Sequence, residues 1–226
     1  MGNNIMKILE LFSGTGSVGK IAKEKGWEVV SVDIRTYPNQ EPPTHLVDIL
    51  KFDYKKYKNF DIIWASPPCT YFSPLIKPWI GREKGKKGNK YIYTQELFEA
   101  DFKKGIEWVK KVLEIINFFN PKFWYIENPE TGTLKKQEMM LGLPYYIVDY
   151  CRYSDWGYRK RTRIWTNKLN FSPKLCLGKG KCINMNGGKH KKSLGTHKKD
   201  QPAVGCGQNR TMKFRIPPEL LRELFI

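Results

Sequence analysis

The chain of 226 residues has no run of about 18 apolar residues, so no membrane-spanning helix and no membrane partner are expected. Its opening stretch, MGNNIMKILELF, carries no signal-peptide pattern. Cysteine is scarce: Cys69, Cys151, Cys176, Cys182 and Cys206 make five, an odd number without a secretion pattern. A disulfide framework is therefore not expected, and an intracellular location is. Acid is also short, with 22 Asp and Glu against 40 Lys and Arg, which leaves a formal net charge of +18. Such an excess repels itself unless an anion neutralises it, and nucleic acid is the commonest large polyanion in a cell.

What remains reads as strands alternating with helices. MKILELF (6–12), WEVVSVDI (27–34), THLVDIL, FDIIWAS (60–66) and PKFWYIENP are strand-like, and YYIVDYCRY and RTRIWTN suggest a closing pair. VGKIAKEKGW and the long segment 94–120 have helical spacing, with Thr94 as N-cap and Glu96 in the first turn of the second. GREKGKKGNK (81–90) reads as a mobile loop, and RIPPELLRELFI as a proline-started helix that docks on the domain. This alternation predicts an α/β fold with a mostly parallel, doubly wound sheet. Residues 1–167, completed by the helix 216–226, form the expected main domain. Residues 168–215 hold twelve Lys and Arg against one acid and few large apolar residues, and read as a small basic, glycine-rich insert.

Three segments carry chemistry. GTGSVG (14–19) follows a strand and opens a helix; Gly14 and Gly16 allow a tight turn and close approach to a ligand. Asp33 ends the next strand, where a carboxylate meets ribose hydroxyls. The pattern fits either a dinucleotide or S-adenosylmethionine. ASPPCTYFS places Cys69 on a rigid corner after Pro67 and Pro68, and WYIENP places Glu127 at the same predicted sheet edge. A thiol beside a carboxylic acid suits covalent catalysis, although a buried structural cysteine and a strand-ending cap are the plain alternatives. Arg159, Arg161 and Arg163 alternate along a strand and would project from one face.

In this order the segments resemble the DNA (cytosine-5) methyltransferase family, in a short version with a reduced recognition region. ELFSGTG resembles its cofactor motif, SPPCTYFS its Pro-Cys motif, YIENP its Glu-Asn motif, RKRTR its Gln-x-Arg-x-Arg segment and IPPELLREL its final helix. The resemblance implies a Rossmann-like fold and S-adenosylmethionine as cofactor. It places Phe12, Gly14, Gly16, Asp33, Ile34, Asp48 and Pro67 around that cofactor. Cys69 would be the nucleophile, Glu127 the acid on the cytosine edge, and Arg161 and Arg163 would stabilise the activated ring and lower the thiol pKa. Asn128, Arg159, Lys84, Lys86 and Lys87 would meet double-stranded DNA with its target cytosine flipped out. The chain departs from the pattern at Thr70, Pro129 and Arg159. The resemblance also implies a monomer working in the cytoplasm of a prokaryotic cell or of a virus-infected host. Rivals are a cytosine N4-methyltransferase, an RNA cytosine-5 methyltransferase and an inactive nucleic-acid-binding relative.

Cys176, Cys182, His190, His197 and Cys206 fall in the basic insert, where zinc could replace a missing core. Their C-x5-C and H-x6-H spacings miss the usual zinc pattern. Scattered surface thiols and imidazoles, with no metal, are the expectation.

Overall fold

A computed structural model describes residues 5–86, 88–195, 203–204 and 207–226, with the backbone alone at 86 and 207–210. In chain order the main elements are β1 (Lys7–Leu11), α1 (Ser17–Glu24), β2 (Glu28–Asp33), β3 (His45–Leu46), β4 (Ile62–Ala65), β5 (Glu83–Lys86) and β6 (Asn89–Ile92). They continue as α2 (Gln95–Phe119), β7 (Phe123–Pro129), β8 (Tyr145–Asp149), β9 (Arg161–Thr166), β10 (Met185–Asn186), β11 (Lys189–His190) and α3 (Pro218–Leu224).

Seven strands form one sheet in the order β3-β2-β1-β4-β7-β9-β8. Pairing is parallel from β3 to β7, and β9 runs antiparallel to both of its neighbours. Strand alternation assigns the two faces. Leu9, Leu11, Ile63 and Ile126 pack with Trp108, Val112 and Ile115 of α2, while Ile8, Ile62, Trp64 and Tyr125 pack with Ile21 of α1 and Leu220 and Leu224 of α3. Each such side chain contributes about 1.5–3 kcal/mol through burial. The doubly wound α/β architecture expected from the sequence is thus the one observed, and the hydroxyl of Tyr125 donates to the Leu224 carbonyl to fix α3. Helix α2 begins where expected, with Thr94 Oγ1 accepting from the Leu97 N–H, and ends at Asn120 in a left-handed conformation.

Two local expectations are corrected. The third strand keeps only two residues, because Asp48 caps a helical turn at Ile49–Lys51 and ends the extended run. The stretch 81–90 is not an irregular loop: most of it is a hairpin in which β5 pairs antiparallel with β6. Gly85 (φ 111°) and Gly88 (φ 90°) supply backbone angles that side chains disfavour, so glycines that suggested irregularity instead permit a tight reversal. At Gly85 a Cβ would lie 2.1 Å from the Asn89 carbonyl oxygen.

Candidate active site

The carboxyl ends of β1, β2, β4 and β7 open onto a single cleft with a cavity volume of about 200 Å³. Strand β1 runs into Phe12, whose φ of 56° is left-handed and strained for a bulky side chain. Gly14 follows at φ 52° and donates its N–H to Asp33 Oδ2 at 2.8 Å. Gly16, at φ 64°, is the N-cap of α1 and turns the chain into that helix; it does not line the cleft. Beneath this loop lies Glu10, whose two oxygens accept from the Val18 and Gly19 N–H groups. Burial pushes its carboxyl up to about 8, against those hydrogen bonds.

The Pro-Pro-Cys corner is braced from three sides. Asn128 Nδ2 donates to the Pro67 carbonyl at 2.9 Å. Thr133 donates to the Phe72 carbonyl through its N–H and its hydroxyl. Gly105 of α2 lets Tyr71 and Phe72 come so close that a Cβ there would sit 2.7 Å from Tyr71 Cβ. Asn128 is fully buried, so it holds this corner rather than contacting nucleic acid, correcting the expectation for it. Its Oδ1 has no hydrogen-bond partner among the described residues.

Phe12, Gly14, Asp33, Ile34, Asp48, Pro67, Cys69 and Glu127 all line the cleft, as the sequence suggested. Asp33 also orders the turn around Arg35, and Asp48 Oδ1 also accepts from Trp108 Nε1 at 3.0 Å. The acids and the apolar walls of Phe12, Ile34 and Pro67 suit a cationic nucleoside: carboxylates for hydroxyl and amino groups, flat apolar contacts for a base. The absence of a side chain at Gly14 leaves the backbone open to such a ligand.

Cys69 is half-buried, and burial pushes its thiol up; Lys160 pulls it down and Glu127 pushes it further up. The expected lowering by arginines does not occur, because the arginines are elsewhere. Glu127 lies opposite Ile164, and Asn128 opposite Arg163, so Glu127 and Arg163 occupy opposite faces of the sheet. Arg161 is bound to buried Asp149 and Arg163 to Glu130, with Arg163 stacked 3.7 Å from the Tyr145 ring centroid. Neither is among the residues lining the cleft.

Lys160, which sequence reasoning missed, takes the place expected of them. Its Nζ lies 3.1 Å from Glu127 Oε1, which also accepts from the Tyr150 hydroxyl at 3.1 Å. RKRTR carries half of the signal: the residue between two outward-facing arginines must face the other way, but which face meets Glu127 is set by strand register. Arg159 is exposed, and Lys84 on the hairpin packs its Nζ 3.4 Å from the Tyr93 ring centroid. Lys87 and the Lys86 side chain lie outside the described residues, as do His197 and Cys206. The other insert residues are not scattered: Cys176, Cys182 and His190 converge with Cys151, a residue the sequence reading left in a strand.

Comparison with known proteins adds three findings. A family described as C-5 cytosine-specific DNA methylase matches residues 6–138. A frog virus 3 (isolate Goorha) protein named "Probable DNA (cytosine-5)-methyltransferase" is 42% identical over 97% of this chain and 98% of its own length. Among solved structures, a Dnmt2 methyltransferase of S. pombe is 15% identical, covering 75% of this chain and 51% of its own, with a TM-score of 0.44. The Entamoeba histolytica methyltransferase EhMeth is 14% identical, covering 76% and 56%, with a TM-score of 0.47. The chain thus spans little more than half the length of these solved structures.

Proposed function

The chain belongs to the C-5 cytosine-specific DNA methylase family, and from that membership we propose that it methylates carbon 5 of cytosine in DNA. Its mostly parallel sheet with helices on both faces is the Rossmann-like arrangement of S-adenosylmethionine-dependent methyltransferases. The observation that carries the reading is that Cys69, Glu127 and the Gly14 loop open onto one cleft. S-adenosylmethionine, when bound, supplies an electrophilic methyl group. Phe12, Gly14, Asp33, Ile34, Asp48 and Pro67 would hold it, with Asp33 at its ribose and Asp48 at its adenine.

Carbon 5 of cytosine is too weak a nucleophile to take a methyl group unaided. In this reading the sulfur of Cys69 adds to carbon 6, and the electron pair freed makes carbon 5 nucleophilic. Glu127, paired with Lys160, holds a proton at ring nitrogen 3 and disperses the charge that develops there. Once carbon 5 is methylated, loss of its proton and expulsion of the Cys69 sulfur restore the aromatic ring. Burial disfavours the thiolate and the charge of Lys160 favours it, so Cys69 passes its proton to solvent as the sulfur attacks.

The ring is out of reach inside a duplex, so the target base must be extruded. The hairpin β5–β6 follows the Cys69 corner, and its Lys84, with Lys86 and Lys87 of the same sequence segment, is suited to phosphate contacts. Residues 168–215 are read as the part that meets nucleic acid, with Arg159 exposed beside them, and residues 1–167 with helix 216–226 as the catalytic unit. DNA containing 5-fluorocytosine tests the mechanism, because fluorine at carbon 5 cannot leave as a proton and the adduct is trapped. A covalent protein–DNA species is expected with the native chain and none with Cys69→Ser. Robust methylation by Cys69→Ser overturns the reading. Nucleoside digestion of the product must yield 5-methylcytosine; N4-methylcytosine, or methylation of transfer RNA alone, would replace the reading with a rival.

A further inference from the structure

We propose that Cys151, Cys176, Cys182 and His190 bind a structural zinc ion that fastens the basic insert to the antiparallel edge of the catalytic sheet. One ligand atom from each residue lies within 4.8 Å of all the others. The two sulfur-to-imidazole separations are diagnostic. Cys176 Sγ lies 3.5 Å and Cys182 Sγ 3.7 Å from the same atom, His190 Nε2. A tetrahedral zinc with Zn–S of about 2.3 Å and Zn–N of about 2.0–2.1 Å holds its sulfur and nitrogen ligands about 3.5 Å apart. Three thiolates and one imidazole are also the donor set that selects zinc over the harder divalent ions.

The surroundings call for such a clamp. The insert leaves Leu169, Leu175, Leu177 and Ile183 exposed, so it gains little from burying apolar surface. Apart from Phe171 on the core, much of what ties it down is polar. Buried Asn184 accepts from the Gly157 N–H at 2.7 Å and donates to the carbonyls of Cys151 and Ser154. The Cys176 N–H donates to Asp149 Oδ2, the carboxylate that holds Arg161. Cys151 and Cys182 are buried, which seals one side of the cluster. Cys151 sits in a helical turn just after β8, with the other three ligands 25 or more residues later. That gap is why spacing within the insert alone misses the pattern.

The full chain, purified in reducing buffer without chelator, tests this by elemental analysis. About one zinc per chain is expected in the native protein and in Cys206→Ser and His197→Ala, falling below about a tenth in Cys151→Ser and Cys182→Ser. Should those two variants not fold, cobalt(II) exchanged into the native chain reads the same ligands, through tetrahedral d–d bands and a thiolate-to-metal charge-transfer band. Native protein with no zinc and no such cobalt spectrum overturns the proposal, as does a Cys182→Ser variant that keeps a full equivalent. Peptide mapping that finds two of the three cysteines joined as a disulfide overturns it too. None of these readouts depends on methyl transfer, so their failure and the failure of the catalytic reading are separable.

Discussion

Around the cleft, every candidate site residue rides on a strand end or on a corner braced by one. Cys69 follows β4, Glu127 lies within β7, and Asp33 ends β2, all buried or half-buried in register with hydrophobic neighbours. Among the described residues of the insert the strands are two of two residues each, and Asn184 hydrogen bonds and a convergence of thiols and imidazole stand where a core would be. One region is positioned mainly by apolar burial and the other mainly by polar contacts. Damage to the first should therefore appear in the chemistry, and damage to the second in stability and grip on nucleic acid.

The sharpest test is Lys160→Met. It removes the cation beside Glu127 and Cys69 while keeping the length of the side chain, so kcat should fall by roughly 10²-fold with KM for DNA little changed. A fall seen only in KM would mean that Lys160 belongs functionally with the insert. Next is Asn184→Ala, which strips several buried hydrogen bonds and should cost about 2–3 kcal/mol of stability. Hydrogen exchange should then show lost protection at Gly157 and Lys191, whose N–H groups meet the side chain and carbonyl of Asn184, while amides of β1 and β4 stay protected. Equal loss in both places would erase the distinction between the regions. The smallest effect is that of pH on alkylation. Because the Cys69 thiol is raised, its thiolate fraction grows about tenfold per pH unit below the pKa, so its modification by iodoacetamide should still be climbing at pH 9. A rate that levels off near neutrality would show a thiol already ionised.

Legibility in the sequence followed the same division. Strand and helix alternation, the glycine turn and the Pro-Pro-Cys corner are local patterns, and each was readable because a few adjacent residues determine it. Lys160 was not: the period-two arginines are visible, but which face meets Glu127 depends on the pairing of Glu127 with Ile164, a register between distant segments. Asn128 looked like a substrate contact beside Glu127 until alternation turned it inward onto the Pro67 carbonyl. The hairpin was hidden by its glycines, whose composition suits a loop and a tight reversal equally. Cys151 was concealed by an apolar run that reads as continuous strand, where the chain instead bends after Asp149 and brings the sulfur round.

Gly105 sits in the long helix α2 without any unusual backbone angle, yet a single methyl group there would strike Tyr71 and crowd Phe72 at 3.1 Å. The corner that presents the sulfur therefore rests on bare helix backbone, with no compliant side chain between them to absorb a shift. The helix serves the corner as an anvil, and where the sulfur stands is in effect machined by what is missing at the eleventh residue of this 25-residue rod.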